Sequence, residues 1–271
     1  MRAAVGATLS LAVLVSTALW TPALSAQRAV PRNQTAVPRK DTAVPFKVGE
    51  TLTFDVSWSS FVVAGTAVAT VKERRPTAAN PSAYYIVAEG RPLPLIAKLY
   101  SLYYKMDTLL DTATLLPQQM TLYSEEGRRQ RLGTTRFDRT ARRAFFEVSG
   151  DTAVATTRTD VTVPAQVQDG LSALYAVRAS SISAGTKLSY PIIDEGSLYN
   201  VSMQASNSER IRVPLGDIPT WKLGVRIVDA QGQPVGDNIA VWISSDARRL
   251  PVKMQADLPV GNFVLLLRDA K

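Results

Sequence analysis

The stretch "ETLTFDVSW", Glu50 to Trp58, decides the fold class. Leu52, Phe54, Val56 and Trp58 recur at every second residue, with Thr51, Thr53, Asp55 and Ser57 between them. A strand sends successive side chains to opposite faces, so this alternation predicts a strand with one buried and one wet face. After Ser59-Ser60, "FVVAGTAVATVKE" reads as the second arm of a hairpin, with Gly65 marking a bulge or a close backbone approach. "AYYIVAEG" supplies a third strand.

Similar runs recur to the end of the chain, near 104–112, 116–124, 130–138, 142–148, 152–163, 187–194, 198–205, 208–213, 220–229, 239–244, 250–257 and 262–268. Turn dipeptides such as Glu126-Gly127 and Glu195-Gly196 separate them. No βαβ rhythm is present, so the sheet is expected to be antiparallel.

Two segments break the pattern. In "PLPLIAKLYSLYY", Pro94 suits a first helical turn, and Leu95, Leu99 and Leu102 repeat at helical spacing. In "DGLSALYAVRAS", Asp169 is a fitting N-cap for a stripe of Leu171, Leu174 and Tyr175. The expectation is mostly β: a single large curved antiparallel sheet or half-barrel with two short helices packed on its concave side.

Residues 1–26 read as a signal peptide, with Arg2, an uncharged run to Trp20 and the small-residue end Ala23-Leu24-Ser25-Ala26. Residues 27–46 carry prolines at 31, 38 and 45, a spacing of seven that a helix could not tolerate, and read as an extended linker. The single β-rich domain is then 47–271. These features predict an exported protein, soluble after signal-peptide removal.

The chain has neither cysteine nor histidine, so it lacks disulfides, the commonest proton-transfer side chain and the usual soft-metal ligands. No metal or cofactor is expected. With 31 basic and 23 acidic residues the formal charge is +8, which favours anionic neighbours. Export makes nucleic acid an unsuitable partner, leaving a lipid, an anionic envelope glycan or another envelope protein.

Catalysis finds little support. Ser244-Ser245-Asp246, within "VWISSDARRLPVKMQA" (241–256), has no histidine to activate a serine, and reads as the turn of a hairpin. Paired carboxylates could serve a glycosidase, with Asp194-Glu195, Glu125-Glu126 and Asp107 with Asp111 as candidates. Adjacent acids before a glycine read better as turns. No catalytic residue is assigned.

The strongest charge feature is "EEGRRQRLGTTRFDRTARR" (125–143). Guanidinium groups on alternating strand positions can fork onto phosphates or carboxylates. Arg128, Arg129 and Arg131, together with Arg248 and Arg249, are therefore candidates for anionic-group contact.

"VGETLTFDVSWSSFVVAGTAVATV", "YKMDTLLDTATLLPQQM", Phe137-Asp138, "QDGLSALYAVRA" and "WISSDARRLPVKMQA" resemble successive blocks of the domain-of-unknown-function family 3108. Lys105-Met106-Asp107 departs from the basic stretch expected there. The resemblance implies an exported, β-rich protein in the periplasm or outer envelope of a bacterium and transfers no activity to particular residues. Its character is similar to curved half-barrels that hold acyl chains beneath short helices. The reading is thus a non-catalytic envelope protein binding or carrying a lipid or other acyl-chain ligand, with Phe54, Trp58, Leu99, Tyr103, Leu174, Tyr175 and Met203 as expected contacts. The alternatives are an envelope assembly factor that binds another protein and a carboxylate-dependent glycan-active enzyme.

Overall fold

The structure is a computed structural model and describes residues 40–58, 62–77, 82–98, 102–150, 157–258 and 261–271. The alternating segments form fourteen strands. They are β1 (Thr51–Trp58), β2 (Val62–Arg75), β3 (Ala83–Pro92), β4 (Leu102–Asp111), β5 (Pro117–Glu126), β6 (Arg129–Asp138), β7 (Arg143–Gly150) and β8 (Thr157–Thr162), then β9 (Lys187–Asp194), β10 (Ser197–Val213), β11 (Gly216–Val228), β12 (Asp237–Ser244), β13 (Pro251–Leu258) and β14 (Gly261–Ala270).

All fourteen join one sheet in the order β8-β7-β6-β5-β4-β3-β2-β1-β14-β13-β12-β11-β10-β9, and every named pair is antiparallel. The first half of the chain meanders outward from β1 to the edge strand β8. The second half starts at the other edge, β9, and meanders back until β14 pairs with β1.

The sheet is not closed, yet its two ends meet. Gln168, after β8, bridges to β9: its N–H donates to Pro191 O at 2.8 Å, and its carbonyl accepts from Ile193 N at 2.9 Å. Ile193 packs into one cluster with Met120, Phe137, Ala144 and Val163, with Leu198 against it. Apolar packing between sheet ends therefore does the work that edge hydrogen bonds do in a closed barrel.

The bulge expected at Gly65 is present as a shift of register at Val56/Ser57, and a Cβ at Gly65 would lie 2.5 Å from Arg91 O. Only glycine lets β2 and β3 approach this closely.

One helix longer than a turn occurs among the described residues, α2 (Gly170–Ala179), against two expected. Pro94–Ala97 (α1) is a single turn, its Leu95 is 75% exposed, and Leu102 already belongs to β4. The proline starts a helix as predicted, but the cross-strand register of Leu102–Asp111 with β3 and β5 overrides the local spacing.

Residues 41–46, expected to belong to the extended linker, pack on the sheet instead. Asp41 accepts from Thr112 Oγ1 at 2.6 Å and from Arg74 at 2.8 Å, and Phe46 is buried edge-on against Tyr84 and Tyr175. Residues 1–39, including the signal-peptide reading, lie outside the described residues.

Helix α2 fills the concavity. Asp169 caps it as expected: Oδ1 accepts from Ser172 N at 2.8 Å while Asp169 N donates to Ser172 Oγ at 2.9 Å, a reciprocal capping box. Leu171 and Tyr175 pack on Val71, Ile86 and Leu110 of the first half, and Val177 packs on Ala205, Leu223 and Ile243 of the second. Buried on nearly all sides, the helix is the common core of both meanders.

Candidate functional site

Beneath α2 the concave face leaves a cavity of about 90 Å³. Its floor is Leu52 and Phe54 of β1, Ala67 and Ala69 of β2, and Ala88 of β3; its roof is Leu171, Leu174 and Tyr175. The alternation that made β2 a strand also set alanines on its inner face, and short side chains leave the space. A void of this size exceeds the share of one water, about 30 Å³, but gives a water few polar partners. Burial raises the Tyr175 hydroxyl above the ordinary phenol range, with the neighbouring Arg178 guanidinium opposing the rise.

One charged side chain also borders the cavity. Arg178 is 0% exposed, and its guanidinium donates from Nη1 to Glu50 Oε1 at 2.6 Å and from Nη2 to Glu50 Oε2 at 2.9 Å. Its Nε reaches Arg249 O at 3.0 Å and Nη2 reaches Arg248 O at 3.2 Å. The rings of Phe46 and Tyr175 lie 5.4 and 5.1 Å from the guanidinium carbon. This bidentate pair ties α2 to the start of β1 and to the β12–β13 turn.

Burial along the concave face falls steadily away from the helix. On β1, Leu52 is 1% and Phe54 3% exposed, Val56 is half-buried, and Trp58 is 52% exposed. On β13 the same gradient runs from half-buried Met254 to Leu258 at 39%. The apolar alternation thus continues beyond the helix. Gly90, on the same face through its pairing with Ala67, would accept a Cβ with nothing nearer than Tyr104 Cβ at 4.0 Å.

Of the expected ligand contacts, Phe54, Leu174 and Tyr175 line the cavity. Trp58 stands at the exposed end of the same face, against Gly261. Met203 packs with the Val177 cluster, and Tyr103 faces outward between Arg91, 4.6 Å from its ring, and Tyr123. Leu99 lies outside the described residues.

The arginines expected to contact anions are largely engaged within the protein. Arg131 pairs with Glu195, Arg143 with Asp160, and Glu147 sits between Arg136 at 3.8 Å and Arg158 at 3.5 Å. Arg249 donates to Ser180 O at 2.6 Å and Arg178 O at 3.3 Å, closing the C-terminus of α2, and Arg248 donates to Ala270 O at 3.1 Å. Arg128 and Arg129 are exposed at the β5–β6 turn.

The Ser244 hydroxyl donates to Asp246 Oδ1 at 2.6 Å and accepts from Leu250 N at 2.7 Å, which makes it a turn residue as expected. Glu195 has φ 47° ahead of Gly196, again a turn. Asp111 is buried with Oδ1 accepting from Ala113 N and Thr114 N, whereas Asp107 lies half-buried beside Lys105 and Thr121, its pKa raised by desolvation.

Residues 53–268 match the family described as "Protein of unknown function (DUF3108)". The chain belongs to that family. Curated proteins provide no match. Among solved structures, this DUF3108 chain is similar to a beta-barrel-like protein of domain of unknown function DUF1849 from Brucella abortus, with 9% identity, a TM-score of 0.52, and 83% of this chain and 97% of that one covered. A candidate lipoprotein from Parabacteroides distasonis shares 10% identity at a TM-score of 0.33, covering 86% of this chain and 100% of its own. At these identities only the barrel-like fold of the first carries over.

Sequence reading of the DUF3108 chain missed the Arg178–Glu50 pair. The two residues stand 128 positions apart, and neither carries a local signal. The alanines of the cavity floor were legible only as small residues in an alternating strand.

Proposed function

We propose that this DUF3108 protein is an exported, non-catalytic envelope protein that binds the acyl chain of a lipid on the concave face of its sheet. The observation behind this reading is the unbroken apolar alternation from the roofed cavity at Phe54 to the exposed end at Trp58, a path wider than the helix needs. Each methylene withdrawn from water there is worth about 0.8 kcal/mol. The cavity itself holds only the tip of a chain, so deeper entry requires α2 to lift. No helix among the described residues is long and apolar enough to cross a membrane.

Lipid extracted from natively purified protein and identified by mass spectrometry, with displacement of a fluorescent fatty acid, tests this reading. Ala88→Leu, which fills the cavity floor, is expected to weaken acyl-probe binding at least tenfold and to hold or raise Tm, because filling 90 Å³ of void at ~24 cal/mol per Å³ is worth about 2 kcal/mol and offsets the strain of the larger side chain. Wild-type protein that carries no lipid and does not take up the probe would overturn it.

A second reading, an assembly factor that engages another envelope protein, draws on β8. This edge strand is exposed or half-buried throughout and has one unpaired side, a template for strand addition. Arg158 and Asp160 place charge on that edge, which opposes unselective pairing.

A further inference from the structure

We infer that the outer face of β9–β12 is a binding site for an anionic saccharide, separate from the concave face and independent of the acyl-chain reading.

Strand register assigns the faces. Leu223 packs inward on Val177 of α2, so Lys222, Gly224 and Arg226 point outward, and pairing puts Gln204 and Ala240 beside Gly224. A trough follows this row. One part, of about 720 Å³, runs past Lys187, Ser202, Arg226 and Asn238; a second, of about 610 Å³, runs past Ser206 and Asn207. They share Gln204, Lys222 and Gly224.

Gly224 is the independent observation. Three other strand glycines are demanded by their surroundings, since a Cβ at Gly65, Gly150 or Gly261 would fall 2.2–2.5 Å from another atom, whereas Gly90 on the concave face is open. At Gly224 the nearest atom would be Gln204 O at 3.9 Å, and its φ is not positive. Glycine weakens a strand interior, and neither packing nor backbone conformation requires it here. What it provides is an open floor where a ligand can lie against the backbone.

The walls supply the charge. Lys187, Lys222 and Arg226 of the lining, and Lys253, which shares the Trp242 ring with Lys222, form no ion pair within 4.0 Å among the described residues, in contrast to the paired arginines of β6–β8. Lys222 and Lys253 lie 5.2 and 4.3 Å from the ring of buried Trp242, whose Nε1 donates to Glu209 Oε1 at 2.7 Å. Desolvation and the neighbouring Lys222 hold Lys253 below the usual lysine range, partly offset by Glu209. Two like charges held over one ring are relieved by an anion. Ser202, Gln204, Ser206 and Asn207 add hydroxyls and amides that suit a hydroxyl-rich ligand, Leu188, Met203, Val225 and Ile239 add apolar contacts, the Glu209 carboxylate in the lining is engaged by Trp242 Nε1, and none of the exposed large apolar side chains lies in the trough, as membrane docking would require.

Titration calorimetry with a sulfated hexasaccharide tests the site, with phosphatidylglycerol vesicles and inorganic phosphate as comparison probes. Wild-type protein is expected to bind the hexasaccharide with an affinity that falls as salt rises. Gly224→Leu, which fills the floor, and the pair Lys222→Gln with Lys253→Gln should each weaken binding at least tenfold at unchanged Tm. Arg136→Gln with Arg158→Gln should change it less than twofold. Binding that survives both trough variants, that is lost in the β6–β7–β8 arginine variant, or that occurs to vesicles or phosphate but not to the hexasaccharide overturns the inference.

Discussion

Glu50→Ala is expected to destabilise the protein by about 3–5 kcal/mol, the usual cost of leaving a buried charge without its partner. Arg178 is 0% exposed, and after the substitution its guanidinium retains only the carbonyls of Arg248 and Arg249, which accept hydrogen bonds but do not neutralise charge. At roughly 2–4 °C per kcal/mol for a domain of this size, Tm should fall by about 6–20 °C. Replacing both partners, as Glu50→Leu with Arg178→Met, should recover most of the loss, because two desolvated charges in a pair roughly balance an apolar replacement. A denaturation series over wild type, Glu50→Leu, Arg178→Met and the double variant gives the coupling directly. A loss below about 1 kcal/mol in Glu50→Ala would mean that water reaches Arg178, contrary to the packing of Phe46 and Tyr175 around it. Because the pair anchors the helix that roofs the cavity, Glu50→Ala is also expected to take up a fluorescent fatty acid faster than wild type.

The parts of this fold written in short-range pattern were legible. Leu52, Phe54, Val56 and Trp58 gave both the strand and its buried face, and Asp169 announced α2 through the same oxygen that now caps it. What failed depended on partners distant in sequence. Leu95, Leu99 and Leu102 have helical spacing, but Leu102 finds Glu126 across a ladder, and the ladder prevails. Arg131 looked available for a ligand because Glu195, from the other end of the sheet, arrives only once the sheet has curled. The gap read between 205 and 208 is a register irregularity within one long strand, β10, rather than a turn. For the candidate site the limit was similar: three of the expected contacts line the cavity, while Arg178, which borders it, was read only as part of a helix.

Asp169→Ala should cost about 2–4 kcal/mol, through two losses that add. Removing an N-cap acceptor costs about 0.5–2 kcal/mol. Thr108 Oγ1, buried on β4, also loses the Asp169 Oδ2 to which it donates at 2.8 Å and keeps only Gln119 O at 3.3 Å, and losing a hydrogen bond to a carboxylate costs about 1.5–3 kcal/mol. Asp169→Asn keeps an acceptor for Ser172 N and should cost distinctly less. The pair of variants also separates charge from hydrogen bonding. Burial raises the Asp169 carboxyl above its ordinary value of 3.8 despite the donors from Ser172 and Thr108, so the folded state holds the proton more tightly than the unfolded chain. The resulting stabilisation is fully present below the unfolded pKa and is lost as pH rises through the folded one. Wild type should therefore gain stability relative to Asp169→Asn as pH is lowered through that window, whatever the other carboxylates contribute to both. Arg139, Asp111 and Asp194 share this environment. Burial lowers Arg139 to about 10 although Asp169 and Asp111 attract it, and burial raises Asp194, with Glu195 and Asp169 adding to the rise. That Asp169 and Arg139 both shift toward neutrality, when mutual attraction alone would drive each toward its charged form, identifies desolvation as the larger effect at this end of α2. Urea unfolding of wild type and the two variants across the acid range measures it, and parallel curves for wild type and Asp169→Asn would contradict the assignment.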